Sequence, residues 1–500
     1  MKTKKVIALI LILAMLAAIL ISCGETTDDP DGNDGANADN PGGASDGEGE
    51  EEPRIEPDLP EIDFEGYTFT FLSLETDSDD WPAPTPLELV TTEEDDISEP
   101  IQDAVFRRNQ KIMGKYNFDI RMVAIENYSD ALRRAVGAGE IIYDAVLMYN
   151  NDVQTIVPNG LLIDIEYLTH LNRDKPWWDP AVNAMSVDGK NFLLGGDLLI
   201  LDNEATNSLL FNKKLMADLG MDLPYDLVKE NKWTMDIFNE YIKGASHDLN
   251  GDGQMTWQDD RWGFVTFNDT LHSLLVSGGG TLAMKDENDI PFMTITSPRN
   301  LSVMDKVFDI MYNKDDTLNV QSDVRIDDWT PAFYNSFLED RALFQWARIR
   351  AVAYYRGMES DFGILPMPKF DELQANYHSV VNSWTGGLLG VPKSADNFER
   401  ISIILEALAA ESKYTLQPAY YEVALQRKHA RDEESGEMLD IIFNSRVYDI
   451  GAFYSFNNVF EGFITLCNRS NRDIVSWYDR ISGRIETAID RVVSTFQGMD

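Results

Sequence analysis

The stretch Tyr143–Tyr149, YDAVLMY, decides the fold class. Its apolar residues are nearly continuous, which predicts a strand that is buried on both faces of a parallel sheet. Two further predicted strands, Gly66–Ser73 and Phe118–Ile125, precede it, and predicted helices over Ile97–Lys115 and Ser129–Val136 alternate with them. This order of strands and helices predicts an α/β lobe.

The same alternation resumes later in the chain. Roughly 440 residues remain for folding after the N-terminal segments, which is more than one core usually holds, so we expect two lobes. Beyond Asp396 the apolar spacing is mainly helical. The predicted strands of this region are Ser208–Phe211, Arg261–Phe267, Arg341–Ala347 and Trp384–Val391, and the predicted helices are Asn212–Leu219, Trp233–Ala245, Pro298–Tyr312, 397–411, 418–428, 434–445, 457–467 and 473–494.

The N-terminus has the pattern of a secretory signal. Lys2, Lys4 and Lys5 precede an uncharged apolar run, Val6–Ile21, which ends at Ser22 and Cys23. A basic region, a short apolar region and small residues are typical of a signal peptide, here residues 1–22. The run is short for a membrane-spanning helix, although a plain N-terminal anchor remains the alternative.

The tetrad Leu20-Ile21-Ser22-Cys23 resembles a bacterial lipobox, in which the cysteine is lipidated and becomes the first mature residue. Two acyl chains are sufficient for stable anchoring. Residues 23–62 are rich in Asp, Glu, Gly, Asn and Pro, and we expect a disordered acidic tether. The chain is therefore expected on the extracytoplasmic face of the cell membrane.

Composition excludes several classes of partner. The formal net charge of −43 opposes binding to nucleic acid and docking on anionic lipid head groups. With Cys23 assigned to lipid, Cys467 is the remaining cysteine, so the mature chain forms no internal disulfide.

The segment Asp248–Asp259, DLNGDGQMTWQD, fits the pattern of a calcium-binding loop. Oxygen ligands fall at the first, third and fifth positions, glycine at the sixth and a carboxylate at the twelfth. Position twelve is Asp instead of the usual Glu, and a strand follows instead of a second helix. We therefore expect one structural calcium site, and a metal-free turn is the alternative. Its ligands would be Asp248, Asn250, Asp252, Gln254, Thr256 and Asp259.

No catalytic motif stands out in the chain. GxSxG, HExxH, the P-loop pattern and a GxGxxG after a strand are all absent from the part of the sequence that is predicted to fold, residues 64–500. The abundant carboxylates could still form a glycosidase-like pair in three dimensions, so a secreted hydrolase remains an alternative. Our expectation is that the protein is not an enzyme.

Aromatic residues fall near predicted strand ends and loops. They are Trp177-Trp178, Trp346, Trp384 and Phe453-Tyr454. Ligands of open α/β sheets bind outside the strand ends, and sugars pack against flat aromatic faces. For any single aromatic, core packing is an equally good explanation, but together they favour a ligand cleft.

Several ordered segments resemble the extracellular solute-binding proteins of ABC importers, in the carbohydrate-uptake class that includes the maltodextrin-binding proteins. After the lipobox and the tether come YDAVLMYN, SLLFNKKL, WTMDIF, FLEDRALF and DFGILPMP, which begin at residues 143, 208, 233, 337 and 361. The segment Lys428–Ser435 resembles a subgroup found in anaerobic Gram-positive bacteria. Asn150-Asn151-Asp152 lacks the aromatic that maltodextrin binders have there, which argues against maltodextrin as the ligand.

The resemblance implies a two-lobed periplasmic-binding-protein-like α/β fold with a cleft between the lobes and a helical C-terminal part. Residues 64–203 with 395–455 would form lobe one, and 204–394 with 456–500 lobe two. The protein would capture a small solute, a sugar or oligosaccharide, and deliver it as a monomer to the permease subunits by hinge closure. The expected ligand-binding residues are Tyr149, Asn150, Asp152, Glu204, Trp346, Arg348, Trp384, Thr385 and Tyr454. A surface module that binds a peptide or another solute is a further alternative.

Overall fold

The computed structural model describes residues 53–75, 88–91, 99–425 and 433–498. The strands within these ranges are β1 (Tyr67–Ser73), β2 (Phe118–Ala124), β3 (Ala145–Tyr149), β4 (Asn207–Asn212), β5 (Trp262–Thr266), β6 (Ala283–Lys285), β7 (Pro291–Met293), β8 (Thr317–Asn319), β9 (Ala342–Arg348), β10 (Phe362–Leu365), β11 (Ser379–Val380), β12 (Gly387–Gly390) and β13 (Arg446–Val447).

Helices account for most of the remaining described chain. A 3-10 segment, Ile349–Gly357, follows β9. The α-helices are α1 (Pro100–Tyr116), α2 (Tyr128–Ala138), α3 (Asn150–Ile156), α4 (Leu201–Ala205), α5 (Lys213–Leu219), α6 (Tyr225–Lys229), α7 (Met235–Lys243), α8 (Thr270–Ser277), α9 (Pro298–Met311), α10 (Val320–Asp323), α11 (Trp329–Leu338), α12 (Phe398–Tyr414), α13 (Leu416–Leu425), α14 (Glu433–Asn444), α15 (Ile450–Phe453), α16 (Val459–Asn468), α17 (Ile474–Asp479) and α18 (Ser482–Gln497).

The first lobe is built on a four-stranded sheet with the order β12-β3-β1-β2. β1 pairs parallel with both β2 and β3, and β12 returns antiparallel to β3. All five residues of β3 are buried, which confirms the prediction made from its continuous apolar run. Helices α12 and α13 pack on α1 beside this sheet.

The second lobe is built on a five-stranded sheet with the order β10-β4-β9-β5-β8. β5 pairs parallel with β8 and β9, and β4 pairs antiparallel with β9 and β10. Capping side chains set where two of its helices begin. The Asn212 side chain accepts a hydrogen bond from Leu215 N–H, and that of Thr234 accepts one from Ile237 N–H.

Within the described ranges the chain crosses between the sheets through α4 into β4 and again from β11 to β12. β13 lies beside the second crossing and pairs parallel with β11. Val381 N–H donates to the Val447 carbonyl at 3.0 Å, and Asn382 N–H donates to the Ala205 carbonyl at 2.9 Å. Backbone hydrogen bonds therefore join both crossings and β13 in one layer, which we call the hinge layer.

Some predicted elements differ from the structure. The predicted helix 473–494 is two helices, α17 and α18, because the chain turns at Arg480 and Ile481. The strand predicted to start at Trp384 begins at Gly387, after a turn in which the Asn382 carbonyl accepts from the N–H groups of Thr385 and Gly386.

The end of the predicted tether packs on the folded body. Residues 55–62 have no helix or strand, but Ile55 N–H donates to the Tyr414 hydroxyl at 2.7 Å, and Leu59 packs against the first-lobe core. The predicted signal peptide, Cys23 and the tether up to residue 52 lie outside the described residues. No helix of the described ranges has the length and apolar content needed to cross a bilayer.

The lobe boundaries stay a prediction. Helix α14, placed in lobe one from the sequence, contacts β10 of the five-stranded sheet. Its Ser435 hydroxyl lies 3.2 Å from the Tyr225 hydroxyl on α6, and its Glu437 pairs with Lys229 at 2.5 Å. These contacts group helix α14 with the second lobe.

Candidate cleft between the lobes

Two strand ends, one from each lobe, supply the starting residues of the candidate site. Tyr149 is the last residue of β3, and Arg348 is the last residue of β9. Ligands of α/β proteins bind at such carboxyl ends, because the polar groups that follow the strands converge there. The residues around these two ends are half-buried and carry charges of both signs.

Arg350, Glu204 and Tyr149 form the first group of the cleft. The Arg350 guanidinium lies 3.9 Å from the Glu204 carboxylate, and about a quarter or less of each side chain is exposed (22% and 23%). Burial raises the pKa of the Tyr149 hydroxyl, the negative charges of Glu88 and, to a smaller extent, Glu204 raise it further, and nearby Arg350 opposes the rise. A separation of 3.9 Å between the two charged groups is longer than a direct hydrogen bond.

Arg348, Asp269 and Asn382 form the second group. The Asn382 side-chain amide donates to the Asp269 carboxylate at 3.0 Å. Burial raises the pKa of Asp269 and lowers that of Arg348, and the attraction between the two charges opposes both shifts. Asn382 belongs to the second crossing of the hinge layer, so this group joins the end of β9 to the hinge.

Two tyrosines flank the arginines. The rings of Tyr334 and Tyr354 have centroids 4.6 Å apart, and Tyr354 is 41% exposed. Burial raises the pKa of Tyr334 to about 12. Arg348 and Arg350 oppose the burial-driven rise in the pKa of Tyr354. An exposed ring beside two guanidinium groups suits a ligand that is flat on one face and hydroxylated at its edge.

The residues that follow β3 are held by Tyr128 of α2. The Tyr128 hydroxyl donates to the Asp152 carboxylate at 2.5 Å and accepts from Tyr149 N–H at 3.1 Å. Burial raises the pKa of Asp152, and the hydrogen bond from Tyr128 opposes that rise. Asp152 is half-buried, and Asn150 is the first residue of α3.

Trp384 and Thr385 lie in the turn before β12. The Asn382 side-chain oxygen accepts from Trp384 N–H at 3.0 Å and from the Thr385 hydroxyl at 3.3 Å. The Trp384 ring is half-buried and packs on Phe460 at 4.9 Å. Asn382 therefore connects this turn to Asp269 and Arg348.

Other predicted aromatics lie in the core. Trp346 is 2% exposed, and its indole N–H donates to the Ser273 hydroxyl at 3.1 Å. Tyr454 is 3% exposed and donates to the Met185 carbonyl at 3.0 Å. Neither ring presents an open face in this structure. Trp177 and Trp178 are buried too, with both indole N–H groups on the Glu406 carboxylate at 3.1 and 2.7 Å.

Of the predicted residues, Tyr149, Glu204 and Arg348 come together with groups that the sequence did not single out. Those groups are Asp269, Tyr334, Arg350, Tyr354 and Asn382. Arg350 and Tyr354 follow β9 just as Arg348 does, and Asp269 follows β5, so the rule about strand ends could have found them. Asn382 carried no comparable signal. The ligand-binding role of each residue stays a prediction.

The predicted calcium loop is folded by its own hydrogen bonds. The two Asp248 carboxylate oxygens accept from Gly251 and Gly253 N–H, each at 2.7 Å. These bonds, led by that from Gly253, lower the pKa of Asp248. The buried Asp260, one residue after the motif, accepts from Leu249 N–H at 3.0 Å and Thr256 N–H at 2.6 Å.

Side-chain oxygens of other predicted calcium ligands also accept hydrogen bonds from the backbone of the loop. Asn250 and Asp252 side chains accept from Asp252 and Gln254 N–H at 2.9 and 2.8 Å, and the Thr256 hydroxyl accepts from Asp259 N–H at 3.3 Å. Within the described ranges, no group of three or more carboxylate, imidazole or thiol side chains is arranged so that it could hold a metal ion. Calcium binding by this loop stays a prediction.

Comparison with known proteins gives matches at the level of structure. No profile of a protein family matches the chain, and no curated protein matches it in sequence. A cyclo/maltodextrin-binding protein complexed with maltotetraose is similar over 86% of this chain and 96% of its own, with a TM-score of 0.53 at 14% identity.

Two further solved structures match in the same way. An ABC transporter solute-binding protein from Thermotoga lettingae, bound to alpha-D-tagatose, covers 85% of this chain and 100% of its own, with a TM-score of 0.51 at 15% identity. An ABC substrate-binding protein from Listeria monocytogenes, in complex with cycloalternan, covers 86% and 99%, with a TM-score of 0.50 at 12% identity.

Similarity at these identities establishes the fold, and the predicted fold class is confirmed. The chain has the two-lobed α/β fold of the solute-binding proteins of ABC importers.

Proposed function

We propose that this protein captures a sugar or oligosaccharide in the cleft between its lobes and delivers it to an ABC importer by hinge closure. The observation that carries the proposal is the group formed by Arg350, Glu204 and Tyr149, in which residues that follow the ends of β3 and β9 lie near the Glu204 carboxylate of α4. The proteins with the same fold named above hold maltotetraose, tagatose and cycloalternan, which supports a carbohydrate ligand.

The chemistry of the cleft suits a neutral polyol. Arg348 and Arg350 donate hydrogen bonds, Glu204 and Asp269 accept them, and tyrosine hydroxyls do both. Two guanidinium groups face two carboxylates, so the charges balance and no strongly ionic ligand is favoured. A sugar hydroxyl can accept from an arginine and donate to a carboxylate in the same place. We therefore favour a hydroxylated ligand over a charged one.

Closure would transmit binding to the permease. A ligand that contacts residues of both lobes binds best to the conformation in which those residues are closest, so it would favour the closed form. The permease subunits would recognise that form. The proposed role involves no bond breaking, and the protein acts as a binding protein rather than an enzyme.

The test is a thermal-unfolding screen of the purified protein against mono- and oligosaccharides. A ligand at about 100 times its dissociation constant stabilises the folded state by about 2.7 kcal/mol. We expect one sugar class to raise the midpoint while the sugar remains unconsumed. Release of hydrolysis products would support the secreted hydrolase instead. A folded protein that responds to no glycan would overturn the carbohydrate proposal and favour a peptide or another solute.

We also propose that Cys23 carries a lipid that anchors the chain on the extracytoplasmic face of the membrane. The support is the position of Cys23 directly after the apolar run and Ser22. Expression with a clickable fatty acid should label the wild-type protein, and the Cys23→Ser variant should stay unlabelled. Labelling of that variant, or a soluble wild-type protein, would contradict the proposal.

A structural calcium ion in the 248–259 loop is a separate proposal. It rests on the sequence pattern, and Asp260 is expected to keep the loop folded when calcium is absent. Added calcium should raise the unfolding midpoint relative to a chelator, and the Asp252→Asn variant should respond less than the wild type. Equal midpoints with calcium and chelator would leave the metal-free turn as the correct description.

A further inference from the structure

Glu88 supplies the hydrogen-bond acceptor at the start of α4. Its carboxylate Oε2 accepts from Ile200 N–H at 2.5 Å and from Leu201 N–H at 3.1 Å. Ile200 is the residue before α4, and its own apolar side chain cannot cap the helix. Helix α4 has five residues, and so short a helix depends on tertiary contacts of this kind. The side chain of Glu88 therefore fixes the place where α4 begins.

The backbone of Glu88 is itself held by the first lobe. The Arg108 guanidinium of α1 donates to the Glu88 and Leu89 carbonyls at 2.9 and 3.0 Å. The same guanidinium donates to the Ser412 hydroxyl of α12 at 3.0 Å, and Arg108 is fully buried. A continuous set of hydrogen bonds thus runs from two helices of the first lobe, through Glu88, to the start of α4.

This set of hydrogen bonds leads to the first group of the cleft. Glu204 N–H donates to the Ile200 carbonyl at 2.9 Å, so the backbone of Glu204 follows that of Ile200. Helix α4 also contacts the 3-10 segment that follows β9 and carries Arg350. The negative charge of Glu88 acts on the Tyr149 hydroxyl as well. Glu88 is therefore connected to all three members of that group.

A carboxyl is costly to keep at this position. Glu88 is 1% exposed, and its Oε1 is buried without a hydrogen-bond donor among the described residues. Burial raises the pKa of Glu88, the N–H of Ile200 opposes the rise, and the negative charges of Glu204 and Asp202 add to it. Carboxyls in such surroundings are concentrated at functional sites. Its place beside the cleft points to a role in binding in addition to folding.

We infer that Glu88 is a positioning residue of the binding cleft, which holds the start of α4 and thereby places Glu204 for contact with the ligand. The inference rests on the proposed function, in which Glu204 contacts the sugar. Because Glu88 is enclosed, it acts through α4 and does not contact the ligand itself. If Glu88 served stability alone, replacing it would lower the free energy of unfolding and leave the affinity of the folded protein unchanged.

The first test needs no sugar. Hydrogen exchange of the purified ligand-free protein, followed by mass spectrometry, compares the wild type with Glu88→Leu. Peptides that cover residues 200–206 should exchange roughly tenfold faster in the variant, because the first amides of this stretch lose their acceptor. Peptides of β1 and β3 should keep their wild-type rates. Unchanged exchange over residues 200–206 would overturn the inference.

Glu406 of α12 provides the matched control. It is also a buried first-lobe carboxyl with two N–H donors, the indoles of Trp177 and Trp178. Glu406→Leu should lower the free energy of unfolding but leave both the exchange of residues 200–206 and the affinity for sugar as in the wild type. If Glu406→Leu changed them as much as Glu88→Leu does, the effect would be general destabilisation, and the inference would fail.

The second test separates position from charge. Calorimetric titration uses the sugar that stabilises the wild type in the unfolding screen. Glu88→Gln keeps the length of the side chain and an acceptor oxygen, so it should bind within about twofold of the wild type. Glu88→Asp keeps the charge but is one methylene shorter, so it should bind about tenfold more weakly. Wild-type affinity of Glu88→Asp, or a loss confined to Glu88→Gln, would overturn the inference.

The two measurements also separate this inference from the carbohydrate proposal. If no sugar binds the wild type, the exchange measurement still decides whether Glu88 holds α4. If Glu88→Leu does not fold, Glu88→Asp takes its place in that measurement, with faster exchange over residues 200–206 as the expected result.

Discussion

Helix α4 carries two carboxylates, two residues apart, in opposite surroundings. Glu204 is 23% exposed and meets Arg350 at 3.9 Å, whereas Asp202 is 1% exposed and meets Arg446 at 3.3 Å. The first pair is loose and open, and the second is tight and enclosed. The same pair of chemical groups is therefore half-exposed at the candidate cleft on one side of the helix and enclosed on the other.

The largest expected effect is on the enclosed side. Arg446→Met leaves Asp202 buried without its cation, and removing one member of a buried pair costs about 3–5 kcal/mol. We expect the free energy of unfolding, measured in urea at pH 8, to fall by that amount. The fall should be smaller at pH 6, where Asp202 takes up a proton. If the free energy of unfolding of Arg446→Met fell by less than about 1 kcal/mol at pH 8, the enclosed ion pair would be no more important for stability than the open one.

The pH dependence of stability gives the second effect. Burial raises the pKa of Asp202 to about 7, so the folded state binds a proton that the unfolded state releases between about pH 4 and 7. Folding stability contributed by this group is therefore present in acid and is lost as the pH rises through 7. Between pH 6 and 8 the wild type should lose about 1 kcal/mol more than Asp202→Asn. Parallel urea midpoints for the two proteins would contradict the assignment.

A substitution on the open side of α4 should change the affinity for the ligand more than it changes the free energy of unfolding. Arg350→Gln removes a partly exposed pair, which costs at most about 1 kcal/mol of stability. Loss of a charged hydrogen bond of about 1.5–3 kcal/mol to the sugar identified by the screen should weaken binding roughly tenfold to a hundredfold. Calorimetric titration measures this, with Arg325→Gln, an 84% exposed position, as the matched control. If Arg350→Gln bound the sugar as tightly as the wild type, Arg350 would not contact the ligand.

The smallest stability effect is expected for Glu204→Gln. The change keeps the shape of the side chain and removes one member of the 3.9 Å pair, so the free energy of unfolding should move by no more than about 0.5 kcal/mol. A loss comparable to that of Arg446→Met would show that both faces of α4 are structural. The same urea titrations measure it.

Local patterns in the sequence predicted the elements and one side of the site. β3 followed from its apolar run, and Tyr149 and Arg348 followed from their positions at strand ends. The sequence did not predict which aromatic side chains are buried. Trp346, near the end of β9, could face either the core or the cleft. The pair of Asp202 and Arg446 was beyond sequence reasoning, since the two residues are 244 positions apart and neither belongs to a motif.

The hinge layer is a narrow strip of hydrogen-bonded backbone segments, and this construction bears on how the lobes can move. Thr206 bridges Val381, and β11 pairs with β13, so three segments lie edge to edge and are joined by hydrogen bonds. A strip of this kind bends readily across its plane but resists shear and twist within it. If the lobes move mainly by bending of this layer, few relative orientations would be lost when they close on a ligand. Closure would then cost little conformational entropy, and more of the contact energy would appear as affinity.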